Sequence, residues 1–200
     1  YNIGYALVVN NGGILTVNSG ANLTMYNGTL AIYGTLNADS GSTLITVDSG
    51  STLTIHNGST LNVDSGGALT VNSATVTVDG GGSLTVNGGS TLTVDGGSSL
   101  TVNGTAALNG GSTLFTYGTV SVNSGGIFAI NSTGALSIYG TGTLSVSGGA
   151  TLTMACSSVL TNDGIFTNDG TFNYNTGFTD NVGYSNTGTA NDTSAECVAP

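Results

Sequence analysis

The chain has 200 residues, 34 of them Gly and 33 Thr, with one Pro, no Trp and neither Lys nor Arg against nine Asp and Glu196. A net charge of −10 without a single basic residue excludes phosphate neutralisation, and with it nucleic-acid binding and docking on anionic membranes. At 38% apolar residues and a mean hydropathy of +0.24 the chain is too hydrophobic for disorder, so its polarity, carried by Ser, Thr, Asn and Gly, belongs to one elongated folded domain.

The chain begins at Tyr1 and not at Met, which fits a mature, secreted, cell-surface chain freed of a leader. The longest apolar run, Tyr5 to Val9, is far short of the roughly 20 residues of a membrane span, so no membrane insertion is expected. Tyr5, Leu7 and Val9 start an alternating apolar pattern that continues through Leu15/Val17, Leu23/Met25 and Leu30/Ile32. Such pairs at i and i+2, flanked by Thr or Ser and followed by Asn-Gly or Asp-Gly-Gly, read as short strands joined by turns.

From Val47 to Gly104 the pattern becomes an octad repeat: VDSGSTLT, IHNGSTLN, VDSGGALT, VNSATVT, VDGGGSLT, VNGGSTLT, VDGGSSLT, VNG. A strand of about five residues cannot bury one apolar stripe alone, so the units are expected to wind into a stacked solenoid. Hairpins would leave a second sheet face to cover, and the outward residues are almost all Thr, Ser and Asn. The turn residues choose the number of sides. Two octads per coil would stack Asp48, Asp64, Asp79 and Asp95 in one column about 4.8 Å apart, a row of like charges. Three octads instead stack Asp48, Asn72 and Asp95, and separately His56, Asp79 and Asn103. The expected fold is therefore all-β: a three-sided parallel β-solenoid with about 24 residues and three strands per coil, about eight coils in all.

The pattern runs on through Val120/Val122, Phe128/Ile130, Leu136/Ile138, Leu144/Val146 and Leu152/Met154, with shortened units at Tyr33 to Thr35 and Tyr117 to Thr119. After about residue 155 the coils taper, as VLTNDG, IFTNDG and TFNYNTG repeat every six or so residues. The solenoid is expected to span residues 1–174, and residues 175–200 to form an irregular tail.

The Leu-Thr-Val-Asn/Asp-Gly-Gly-Ser units, with the Thr-Asn-Asp-Gly-x-Phe units near the C-terminus, resemble the repeats in β-helical passenger regions of bacterial autotransporter adhesins and filamentous haemagglutinin-like surface proteins. The resemblance covers about residues 7 to 174. It implies a right-handed β-helix exposed at a cell surface and serving adhesion, aggregation or matrix formation. The lack of a C-terminal barrel segment and of Lys and Arg departs from that pattern.

Little in the sequence points to chemistry, and no enzyme, cofactor or metal site is expected. His56 is the single histidine and fills a turn position held elsewhere by Asp or Asn. Asp163 and Asp169 sit in Asn-Asp-Gly turns, and the Gly-Gly-x-Gly-x-Asp nonapeptide of calcium-loaded β-rolls is absent. Tyr117 and Tyr139, 22 residues apart, should stack on one flank, either as plain aromatic packing or as a surface for glycans. Cys156 and Cys197 are expected to form a disulfide in an extracellular setting. Sequons for N-glycosylation stand at Asn22, Asn27, Asn57, Asn103, Asn131 and Asn191.

Two functions remain. In the first, neither end shows a recognisable cap, so Tyr5, Leu7 and Val9 of one subunit pair with the last coil around Phe166, Phe172 and Tyr174 of the next. The chain is then the structural subunit of a head-to-tail filament or surface fibre. In the second, outward pairs on every third strand, Thr52/Thr54, Thr75/Thr77, Ser99/Thr101, Thr119/Ser121 and Thr143/Ser145, form two hydroxyl ranks on a flat sheet. That array resembles the water-ordering face of β-solenoid antifreeze proteins.

Overall fold

The computed structural model describes residues 6–39, 41–48, 50–64, 66 and 68–197. The chain forms a three-sided parallel β-solenoid of roughly 23 residues per turn. The first face stacks β1 (Ala6–Val9), β4 (Thr29–Ile32), β7 (Thr52–Ile55), β10 (Thr75–Val78), β13 (Ser99–Val102) and β16 (Thr119–Val122). The second stacks β2 (Ile14–Val17), β5 (Thr35–Ala38), β8 (Thr60–Val63), β11 (Ser83–Val86), β14 (Thr105–Leu108), β17 (Ile127–Ile130), β19 (Thr151–Met154), β21 (Thr171–Tyr174) and β24 (Thr189–Asp192). The third stacks β3 (Asn22–Tyr26), β6 (Thr43–Asp48), β9 (Ala68–Val71), β12 (Thr91–Val94) and β15 (Thr113–Thr116). Two longer strands, β18 (Ala135–Val146) and β20 (Val159–Asn168), turn the corner without a break and join the third face to the first.

Alternation drives this arrangement. In most strands the second and fourth residues point inward and are buried, while the first and third remain partly exposed. The interior is a continuous stack of Leu, Val and Ile, including Leu53, Ile55, Leu61, Val63, Val76 and Val78, all shielded from solvent. Burying each such side chain contributes roughly 1.5–3 kcal/mol. The Ser that precedes many strands also turns inward: Ser90 Oγ donates to the Asp64 carbonyl at 2.7 Å and Ser98 Oγ to the Val71 carbonyl at 2.9 Å, each tying its corner to the coil beneath.

Corner length explains why the coil is nearer 23 residues than 24. Most corners close as four-residue turns, such as the Gly82 amide donating to the Asp79 carbonyl at 2.8 Å. Others are two-residue bends ending in Gly, at Tyr33-Gly34, Asn103-Gly104 and Tyr117-Gly118, where a Cβ would strike backbone carbonyls of the neighbouring coil. The six-residue period after residue 155 has the same cause, at Asp163-Gly164 and Asp169-Gly170.

The C-terminal part differs from the irregular tail expected for residues 175–200. β22 (Phe178–Asp180) and β23 (Ser185–Asn186) pair in parallel with β20, and β24 with β21, so the winding continues through residue 192. A 3-10 turn, Ser194–Cys197, follows. Buried Asn162 and Asn168 direct this extension by donating to Asp180 Oδ1 at 2.8 Å and Asn186 Oδ1 at 2.7 Å. These partners lie 18 residues ahead, in a stretch without apolar alternation.

Candidate functional site

The first face carries a regular outward surface. Thr52, Thr75, Ser99, Thr119 and Thr143 are register partners in succession, and so are Thr54, Thr77, Thr101, Ser121 and Ser145. Two hydroxyl ranks therefore cross five strands, with rungs about 4.8 Å apart and ranks roughly 6.7 Å apart. Ser99 Oγ reaches Thr75 Oγ1 at 3.4 Å. Beyond these five strands each rank loses its hydroxyl at one end only: the Thr52 rank runs on to Thr29 but meets Ile165, and the Thr54 rank runs on to Thr167 but meets Ala31. The other faces are interrupted, by Ala107, Ile127 and Ala129 on the second and by Ala68, Phe115, Ala135 and Val159 on the third.

Each corner carries a ladder. Asp48, Asn72 and Asp95 follow the register partners Val47, Val71 and Val94, which puts Asn72 between the two acids. Asp64 is capped by Asn87 Nδ2 at 2.9 Å; Asn109 then donates to Asn87 at 3.0 Å and Asn131 to Asn109 at 2.6 Å. At the corner after the first face, the His56 ring stacks on Tyr33 with centroids 4.1 Å apart, and its Nδ1 lies 2.9 Å from Asp79 Oδ2. Asn123 donates to Asn103 at 2.9 Å farther along that corner. Tyr117 and Tyr139 do stack, 5.3 Å apart with ring planes at 20°. Among the described residues, no group of three or more His, Cys, Asp or Glu side chains could hold a metal ion.

The residues expected at a junction between subunits are placed differently. Tyr5 lies outside the described residues. Leu7 is half-buried and Val9 buried in the first coil. Phe166 and Phe172 are not on an exposed end: both are fully buried, and Tyr174 is half-buried against them. Phe178 and Tyr184, which stand outside any repeat and so carry no periodic signal, pack on that pair. These rings end the core, and the coil formed by β22 to β24 lies over them.

Cys156 and Cys197 are joined, fastening the last turn to the body across 41 residues. Burial pushes the Tyr184 hydroxyl pKa up, aided by Tyr174 and the Asp180 carboxylate. Hydrogen bonds from the Ser194 side chain and amide lower that of Asp192. Of the sequons, Asn131 and Asn191 spend their side-chain amides in ladders and Asn103 accepts from Asn123, while Asn22, Asn27 and Asn57 are exposed.

No family model matches the chain, and no curated protein matches it. Among solved structures it is similar to "Crystal structure of TibC-catalyzed hyper-glycosylated TibA55-350 fragment", at 24% identity over 94% of this chain and 83% of that one, with a TM-score of 0.23.

Proposed function

We propose that the chain is a structural, non-catalytic module of an extracellular surface fibre, a stiff rod extended by a second copy stacking on its first coil. The observation that carries this is the N-terminal edge. Among the described residues β1, β2 and β3 each have one strand neighbour. Leu7 and Leu15 there line an open pocket of about 240 Å³ whose rim includes Ile14, 72% exposed. An unpaired edge beside an open apolar interior is a template for another strand. The complementary surface is the outer edge of β22 to β24, not Phe166, Phe172 and Tyr174, which that last coil covers. Parallel stacking of this kind does not close on itself and yields a fibre. An extracellular setting is supported by the Cys156–Cys197 disulfide.

Light scattering and negative-stain microscopy across a concentration series test this. Rods lengthening with concentration are expected, and Ile14→Lys, an exposed change that spares the core, should hold the protein as monomers. Monodisperse monomers of the unmodified protein at high concentration would overturn it.

A second reading, ice binding by the first face, is favoured by the unbroken five-strand hydroxyl array. Thermal hysteresis is then expected, and Thr54→Lys with Thr77→Lys should abolish it at unchanged circular dichroism. No hysteresis in the unmodified protein ends that reading.

A further inference from the structure

The corner between the third and first faces changes character at one place. Asp95, Tyr117, Tyr139 and Asp163 occupy successive rungs, because Val94, Thr116 and Ile138 before them are register partners and Tyr139 pairs directly with Asp163. The two tyrosines stack, and Phe115, on the adjacent outward rank, has its ring 6.1 Å from that of Tyr139. Tyr117 remains 44% exposed despite the stacking. The interior beneath is complete without these rings, since Leu114, Leu136 and Ile138 already fill it. Three exposed or half-exposed rings in a chain with 6% aromatic residues form an apolar patch that folding does not require.

Side-chain length gives the patch its shape. A tyrosine reaches well beyond an aspartate on the neighbouring rung, so the stack ends on each side in a ledge: a ring face for a floor and a carboxylate at the back. On one side Asn181 Nδ2 donates to Asp163 Oδ1 at 2.5 Å, which orients that carboxylate. On the other, the Asp95 side chain makes no hydrogen bond among the described residues. Ser137, the register partner of Phe115, adds a hydroxyl beside the rings.

We propose that this flank binds a neutral, β-linked glycan, with a pyranose seated on the free tyrosine face of a ledge. The apolar C–H faces of pyranose rings pack on tyrosine, and sugar hydroxyls donate to the carboxylates of Asp95 and Asp163. Anionic glycans are disfavoured because ten acids face them with no Lys or Arg in the chain. An organic cation also favours an aromatic face beside a carboxylate, but here the rings run along two rungs with a hydroxyl alongside and do not close a cage round one point. The rings stand at the corner between β15 and β16 and on β18, not on the end strands β1 to β3 or β22 to β24, so their contact with a glycan does not require end-to-end assembly.

The test is calorimetric titration of the disulfide-intact protein with cellohexaose, chitohexaose and β-1,4-mannohexaose, with polygalacturonate and choline as the anionic and cationic probes. Saturable binding of at least one neutral hexasaccharide is expected. Tyr117→Asn and Tyr139→Asn, which install a residue that fills corner rungs elsewhere, should each weaken it at least tenfold at unchanged circular dichroism. Ile14→Lys, an exposed change on the first coil and off this flank, should bind with unchanged affinity. Phe115→Ser supplies a further ring deletion, expected to weaken binding, should a tyrosine variant fail to fold. Absence of binding to all three neutral probes, undiminished affinity in folded ring variants, or preferential binding of choline or polygalacturonate would each overturn the proposal.

Discussion

Replacing Gly104 by Ala tests how tightly the two-residue corners press one coil on the next. A Cβ at this position would come closer than 3.0 Å to both the Asp79 and Gly82 carbonyl oxygens. Neither can swing aside as a side-chain tip would, because both belong to hydrogen-bonded backbone. Asp79 O accepts from the Gly82 amide at 2.8 Å and Gly82 O from the Thr105 amide at 3.0 Å, while the Gly104 amide itself donates to Val78 O at 3.1 Å. Relief requires the coils to part locally. Overpacking of this kind costs about 1–3 kcal/mol, and weakening two ladder bonds adds roughly 0.5–1.5 kcal/mol each. The smaller entropy of the unfolded Ala chain returns about 0.4–1 kcal/mol. The net loss is about 3 kcal/mol, or about 6–12 °C in melting temperature for a chain of this size. Gly96→Ala is the matched control, since a Cβ there meets nothing within 4 Å; it should leave stability unchanged or slightly raised. Thermal and urea unfolding followed by far-ultraviolet circular dichroism compares the two, and equal stability of both variants would refute the close-packed corner.

The disulfide and the last coil can be probed separately. Cys197→Ser releases a constraint across 41 residues, with a loss of up to about 4 kcal/mol; amide exchange should rise in residues 178–192 while the central coils stay protected, and uniform loss of protection would argue against a local latch. Alkylation without reductant should add no mass, and two modified sulfurs would disprove the bond in solution. Burial raises the Tyr184 pKa, so the folded state favours the protonated phenol. The stability this provides is whole below the ordinary tyrosine range near 10 and is lost as pH climbs from there through the raised folded value. Alkaline titration should loosen the C-terminal coil before the central ones, and Tyr184→Phe should shift that onset upward; an unchanged onset would contradict the assignment.

Much of this molecule is written locally. The spacing of Leu53/Ile55, Leu61/Val63 and Leu69/Val71 sets alternation and period, and two consecutive Asp rungs without a cation are costly enough to choose three sides over two before any contact is seen. The ladder of Asp64, Asn87, Asn109 and Asn131 is the direct outcome of that choice, and the hydroxyl ranks follow from the same register. What the repeat could not decide lies where it fails. From residue 175 onward no apolar alternation announces a strand, yet β22 to β24 form because buried Asn162 and Asn168 need partners and because Phe166 and Phe172 would otherwise face water. Phe178 and Tyr184 meet that need from positions without sequence period. Likewise, a tyrosine in a shortened unit reads only as a corner residue; that Tyr33 covers His56 while Tyr117 and Tyr139 cover each other depends on which coil comes next. Local pattern determines a strand's inner and outer faces through its period of two, whereas the end of the core and the company of each corner residue are set by neighbours about 20 residues away, which only the wound chain brings together.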